Sequence, residues 1–418
     1  MKRIRVSTKI VTAFAAISLP LALVLFSCEK DPEDTTLTPK QINLTAHAPE
    51  VITGSNEFGI ELFTKVATSD EQNLMLSPLS ASAALTMVLN GAGGDTYSQL
   101  QGTLKYPEEL SISDINEAYK SLVTQLLAAD PKVNIAIANA LFYRWGFAIK
   151  EPFLDVMSTD FGAHIEGLDF SDPSALETIN DWASDNTNGK IPEVLNEISP
   201  DAAMFIMNAL YFKGTWSYQF DKELTEDKEF YLDDGSSINV STMTGELPAK
   251  KLYYDNFWVI ELPYGRTNFV MDIILPINTL AELTGTLNYD IWNEVTTSLE
   301  EQIEGVETIV VMPKFKFSYE KYLKQQLQSM GMIDAFTPWV ANFSNITDEP
   351  IYVSFVKQNT FVEVNEEGTE AAAVTTVGFN YTSVGPEMFV VQKPFIFAIR
   401  ERTTNTLLFI GKVENPNQ

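Results

Sequence analysis

The feature that most constrains this chain is a set of long apolar runs rich in β-branched and aromatic residues. They are Ala138 to Tyr143, Phe205 to Phe212, Phe269 to Leu275, Thr308 to Phe317 and, near the C-terminus, Met388 to Ile399 and Thr406 to Val413. Runs of this kind are strands that need cover on more than one face. Arg402-Thr403-Thr404-Asn405 joins the last two and predicts a β-hairpin. Another strand is expected over Tyr352 to Asn365. Helical patterns interleave with the strands. Ser77 is placed to cap a helix with Pro78 at its first position, and Asn90-Gly91 supplies the stop. Ile115, Tyr119, Leu122, Val123 and Leu126 recur at helical spacing after Ser113, read here as the cap. No repeat or second linker interrupts Val51 to Val413. The expected class is therefore α+β, one large mixed domain built on a large central sheet. With 418 residues, 45% of them hydrophobic, the chain has ample material for a core.

The N-terminus reads as an export signal. Lys2, Arg3, Arg5 and Lys9 precede an almost wholly apolar stretch over residues 10–26, which ends in Leu25-Phe26-Ser27-Cys28. The stretch is short for a membrane span and has no basic stop-transfer flank. Leu-x-Ser-Cys resembles the bacterial lipobox, which implies cleavage before Cys28 and lipidation of its thiol; the plainer reading is a signal peptide with an incidental Cys. Glu29-Lys30-Asp31-Pro32-Glu33-Asp34 resembles the acidic export signal of Bacteroidota surface lipoproteins. Display on the cell surface follows from that reading, with the inner face of the outer membrane as the alternative. The expected organisation is a leader over 1–27, a lipidated Cys and flexible acidic tether over 28–49, and a folded domain over 50–418.

Composition removes several functions. A net charge of −28 argues against a nucleic-acid surface, since phosphates need Lys and Arg. One Cys and two His offer no multi-cysteine zinc site and no multi-His centre, so no metal or cofactor is expected. Nucleophilic catalysis needs an adjacent base and an oriented partner. There is no Gly-x-Ser-x-Gly elbow, His47 lies in the tether, and His164 in Phe161-Gly-Ala-His-Ile has no defensible Ser or Asp arrangement. Gly91-Ala-Gly-Gly94 is followed by Asp95-Thr96 and so is not a phosphate loop. The chain is expected not to be an enzyme.

One segment fits none of these patterns. Glu366-Glu367-Gly368-Thr369-Glu370-Ala371-Ala372-Ala373-Val374-Thr375-Thr376-Val377-Gly378 looks helical at its start but not at its end. At period two, one face carries Thr369, Ala371, Ala373, Thr375 and Val377, all small and uncharged; Glu370 lies on the other. No Pro occurs from Thr360 to Gly385, so every backbone N–H is free to join a ladder. The segment suits an exposed loop, a strand inside a sheet, or a short amphipathic helix.

Motifs in order along the chain carry a resemblance. They include Asn73-Leu-Met-Leu-Ser77-Pro78-Leu-Ser80, Asn139-Ala-Leu-Phe142, Asn208-Ala-Leu-Tyr-Phe-Lys-Gly-Thr-Trp216, Glu261-Leu-Pro-Tyr264, Pro313-Lys-Phe315, Phe361-Val-Glu-Val-Asn-Glu-Glu-Gly-Thr-Glu-Ala-Ala-Ala373 and Lys393-Pro-Phe395 with Gly411-Lys-Val413. Together they resemble the serpins over roughly Glu50 to Pro416. The resemblance implies the serpin fold: a large, mostly antiparallel central sheet, two smaller sheets, surrounding helices and an exposed reactive-centre loop. It also implies a suicide inhibitor of serine proteases, acting as a monomer. The protease cuts the loop and is acylated; the loop then inserts as a strand of the central sheet and traps the acyl-enzyme. The alternative is a non-inhibitory, serpin-like surface binding lipoprotein, which the intact hinge composition disfavours.

The resemblance also assigns residues. Glu366, Glu367, Gly368, Thr369, Glu370, Ala371, Ala372 and Ala373 match the hinge. Ser77, Ser80 and Asn208 match the shutter, where the central strands part; Gln358 stands where the family usually has His. Trp216, Lys314 and Glu366 match the breach, where insertion starts. The usual spacing from Gly368 places the scissile bond at Thr382-Ser383, with Tyr381-Thr382 as the rival. Thr382 suits elastase-like targets and Tyr381 chymotrypsin-like ones. Neither Lys nor Arg lies between Lys357 and Lys393, which disfavours a trypsin-like target.

Overall fold

A computed structural model describes residues 37–369 and 387–418. Among the described residues the helices are α1 Ala48–Ala67, α2 Pro78–Gly91, α3 Gly94–Thr103, α4 Ile112–Leu127, α5 Glu151–Thr159, α6 Ser174–Asn186, α7 Leu280–Thr286, α8 Tyr289–Glu301 and α9 Lys324–Ser329. The strands are β1 Leu74–Leu76, β2 Val133–Arg144, β3 His164–Leu168, β4 Met204–Thr215, β5 Glu226–Tyr231, β6 Ser237–Tyr253, β7 Phe257–Tyr264, β8 Phe269–Pro276, β9 Val306–Pro313, β10 Phe315–Tyr322, β11 Lys357–Asn365, β12 Gly368–Thr369, β13 Glu387–Val390, β14 Phe395–Glu401 and β15 Thr406–Val413. None of these helices is long and apolar enough to cross a membrane.

Six strands form the sheet that positions the site, in the order β10-β11-β12-β4-β2-β3. Every neighbouring pair is antiparallel except β2–β3. The remaining strands make the two smaller sheets, which share β6. Thr242 to Ala249 of β6 pair with β9, which carries β13 on its far side, and β5 pairs with the start of β6. Lys250 to Tyr253 pair with β7, and the order continues through β8, β14, β15 and β1. Every residue of β8, β14 and β15 is buried, which is why their sequences read as unbroken apolar runs.

The local chemistry is legible. Ser77 caps α2, its Oγ accepting from Ser80 N at 3.2 Å, with Pro78 at the first helical position. The cap of α4 is Ser111, not Ser113: Ser111 and Asp114 form a capping box, each side chain bonding the other's backbone N–H. Two expected strands are each two. Thr308 to Phe317 breaks at Lys314, because Pro313 has no N–H to donate and Lys314 N turns instead to Ser241 O at 2.9 Å, sending β9 and β10 into different sheets. Met388 to Ile399 likewise breaks before Pro394 into β13 and β14. The strand expected from Tyr352 starts only at Lys357.

The described part of the expected tether does not run free. Asn268, fully buried, accepts from Lys40 N and donates to Lys40 O, both at 2.8 Å, so one side-chain amide stands in for a strand partner. Helix α1 begins at Ala48, slightly ahead of the expected domain start.

Candidate functional site

The site is a slot in the six-stranded sheet. At its upper end β12 lies between β11 and β4, with Val364 opposite Thr369 and Asn365 opposite Gly368 on one side, and Thr215 opposite Gly368 and Gly214 opposite Thr369 on the other. Two rungs are all there is. Below them, no described strand lies between β4 and β11. A cavity of about 220 Å³ opens there, lined by Ser80, Met207, Asn208, Val356, Gln358 and Thr360 among others.

Gly368 is required where it stands. Its φ is +141°, a region that side chains of L-residues avoid, and a Cβ would overlap Gly214 O and lie 2.8 Å from Thr215 Cα. Gly214 is equally constrained, since a Cβ there would meet the Tyr264 ring at 2.7 Å. Small residues on both strands thus let two backbones approach.

The breach residues meet at this upper end. The Trp216 ring stacks on Tyr264, with centroids 4.3 Å apart and planes 10° from parallel. Trp216 Nε1 donates to Asn365 O and its backbone N–H to Glu367 O, both at 2.9 Å. The Tyr264 hydroxyl is 2.7 Å from that of Thr369, and burial pushes its phenol far up. Lys314 Nζ is 3.1 Å from Glu366, which also accepts from Thr225 Oγ1 at 2.8 Å. Burial alone would raise the Glu366 carboxyl. A backbone hydrogen bond, those from Thr225 and Lys314, and the Lys314 charge outweigh it and hold the group below its ordinary value.

The shutter residues meet at the middle of the slot. Ser77 N donates to Gln358 Oε1 at 3.3 Å, and Gln358 Nε2 donates back to Ser77 O at 2.7 Å. The carboxamide therefore serves both backbone groups of the helix cap, a role that needs a donor and an acceptor and no charge. Ser77 Oγ donates to Leu408 O at 2.8 Å, tying α2 to β15. Ser80 Oγ lies 3.5 Å from Asn208 O, and Asn208 Nδ2 donates to Asn139 Oδ1 at 2.8 Å. Asn208 Oδ1 is buried and has no hydrogen-bond partner among the described residues, an acceptor left over in the lining of the slot.

Of the residues expected to act, Glu366 and Glu367 form the turn between β11 and β12, and Gly368 and Thr369 are β12 itself. Glu370, Ala371, Ala372, Ala373, Tyr381, Thr382, Ser383 and Cys28 lie outside the described residues. Sequence reasoning assigned no role to Tyr264, Gly214, Thr225 or Lys222. Tyr264 and Gly214 stood inside motifs already singled out; nothing in the sequence near Lys222 marked it.

Fold and slot together define a protein whose central sheet is parted and holds the first residues of one further strand. A family profile described as serpin (serine protease inhibitor) matches residues 53–416. Iripin-2 of the tick Ixodes ricinus is 34% identical over 369 residues, covering 86% of this chain and 92% of its own. An uncharacterised serpin-like protein of the archaeon Methanosarcina mazei is 32% identical over 424 residues, covering 95% and 96%. The crystal structure of the thermophilic serpin tengpin in its native state superposes with a TM-score of 0.79 at 30% identity, covering 90% of this chain and 96% of that one. The chain belongs to the serpin family.

Proposed function

We propose that this serpin inhibits serine proteases by acting as a suicide substrate, with elastase-like or chymotrypsin-like targets. The observation that carries the reading is the two-residue strand seated above an open slot. Extending its present register, each further residue would fall opposite a fixed partner on both sides. Ala371 would oppose Val362 and Phe212, Ala373 would oppose Thr360 and Leu210, and Thr375 would oppose Gln358 and Asn208. Val362, Val364, Thr360 and Gln358 are all buried, so this is the core-facing side, and it receives Thr369, Ala371, Ala373 and Thr375. A charge there would cost several kcal/mol if unpaired, on the order of 3–5. The unpaired Asn208 Oδ1 would meet Thr375, whose hydroxyl is a donor.

In the covalent step the protease serine Oγ attacks the Thr382 carbonyl. The Thr382–Ser383 bond breaks, the new Ser383 amine leaves with the proton, and an acyl ester joins protease to Thr382. Insertion then carries the ester away from the rest of the fragment that begins at Ser383, which keeps β13, β14 and β15 in the body. Burying the strand and completing its ladder drives the movement.

The test mixes the chain from residue 29 onward with neutrophil elastase, chymotrypsin and trypsin, followed by denaturing gels and N-terminal sequencing of the released peptide. An SDS-stable adduct with a peptide starting at Ser383 supports Thr382 as bait; a start at Thr382 moves the bait to Tyr381. Clean cleavage without an adduct refutes the inhibitor reading and leaves the non-inhibitory binding protein. We further propose that the protein is lipidated on Cys28 and carried by the outer membrane at the cell surface, as a monomer. Protease shaving of intact cells and a Cys28→Ser variant that is released into the medium would support that placement.

A further inference from the structure

The turn leading into β12 is held more completely than the start of a strand requires. Asn365 O accepts from Trp216 Nε1, Glu366 O from Phe220 N at 3.0 Å, and Glu367 O from Trp216 N and from Gln219 Nε2 at 3.5 Å. Glu367 N donates to Asn365 Oδ1 at 3.0 Å. The Glu366 carboxylate is taken by Thr225 and Lys314. The Glu367 carboxylate, only 12% exposed, is paired with Lys222, whose side chain is 58% exposed. Most of these groups come from the stretch 216–225 directly after β4, where Asp221 caps a short 3-10 turn, its side chain accepting from Glu223 N at 2.9 Å.

Starting a strand is the unfavourable part of adding one. The chain must reverse direction and fix its first dihedrals before many ladder bonds reward it. Here the reversal and the first two rungs exist before any cut. The clamp touches only the turn, whose neighbours β11 and β4 need not exchange partners with it as the strand lengthens. It therefore favours growth and does not resist it.

We propose that the 216–225 clamp is a pre-formed nucleus for strand insertion, and that Lys222 and Gln219 are positioning residues of the inhibitory reaction. This rests on the reading in the preceding subsection. Insertion competes with hydrolysis of the acyl bond, so a nucleus already in place raises the fraction of protease trapped.

The experiment compares the unaltered chain with Lys222→Glu, Glu367→Lys and the double exchange, each from residue 29 onward. Each single variant is expected to consume about two- to fivefold more inhibitor per protease trapped, the range an exposed ion pair supports, and the double exchange to restore the original ratio. High salt should raise the ratio in the unaltered chain and not in the singles. The Trp216 amide should exchange faster in the singles, while melting temperature and the rate of the first cut stay unchanged. Unchanged ratios, no rescue by the double exchange, or better trapping by the singles would overturn the nucleus. Failure of the unaltered chain to form any covalent adduct would overturn the underlying reading instead.

Discussion

Replacing Gly368 with alanine tests whether β12 is needed in its observed place. The backbone there has a φ of +141°, which costs an L-residue about 1–3 kcal/mol. The added Cβ also overlaps Gly214 O and crowds Thr215 Cα at 2.8 Å and Trp216 N at 2.8 Å. These are backbone atoms of a paired strand and cannot swing away, so crowding adds about 1–3 kcal/mol more. The alternative is to release β12. That gives up its rungs with β11 and β4 and the Thr369–Tyr264 hydroxyl bond, each hydrogen bond contributing about 0.5–1.5 kcal/mol net. The two routes cost similar amounts, about 3 kcal/mol on these scales, and release also removes the strain. The Gly368→Ala variant is therefore expected to withdraw the hinge while leaving the rest of the fold in place. Hydrogen exchange should show lost protection at Thr369 and Trp216 with β2 and β15 unchanged. Protease challenge should shift from adduct toward clean cleavage by about tenfold or more, since about 1.4 kcal/mol is already a factor of ten. Retained protection at Thr369 with unchanged trapping would refute the reasoning, because it would mean that the close approach to Gly214 is not obligatory.

Three further substitutions bear on the same machinery. Thr369→Asp places a carboxylate against Tyr264 on the core-facing side and is expected to convert inhibitor into substrate, read as adduct lost on denaturing gels with the cleavage rate kept. Gln358→Ala leaves both backbone groups of Ser77 without their partner and should lower unfolding free energy by about 1–3 kcal/mol, measured by denaturant titration, whereas Gln358→His, which keeps a donor and an acceptor, should lose less. Glu261 is buried beside Arg400, at 2.5 Å, and near Lys250 and Arg402, with Asp272 close by; burial, then the Asp272 charge, hold its carboxyl above the ordinary 4.5 despite those cations. A proton is thus held more tightly in the folded state, so stability from this group is greatest at low pH and is lost as pH climbs from 4.5 through the raised value; Glu261→Gln should flatten that part of a stability–pH profile.

Much of the fold was legible because its strands are covered on both faces. β8, β14 and β15 announce themselves by unbroken burial, and the Ser77 cap by its Pro. What failed were boundaries decided by partners far along the chain. Nothing local says that Pro313 ends one sheet and Phe315 begins another, because Lys314 N finds its acceptor on Ser241. The site divides in the same way. Gly368 and the small alternating residues are readable, since a strand that must enter a closed sheet needs them. Tyr264 and Lys222 act only through residues more than a hundred positions away, and no spacing rule connects them. Gln358 shows the middle case: its position was identified, and the structure supplies its two bonds to Ser77.

The buried C-terminal strands bear on how the chain comes to be folded at all. β15 pairs with β1, setting Leu74 opposite Lys412, and Leu407 N donates to Asn56 Oδ1. A nascent chain therefore cannot seat β1 or finish the core beside α1 until almost its last residue has left the ribosome. Contacts of such long sequence separation form slowly, and the waiting intermediate exposes apolar edges. Loss of even the final strand to premature termination should leave everything before it without a core to close on, and such chains belong to quality control, not to the native pool.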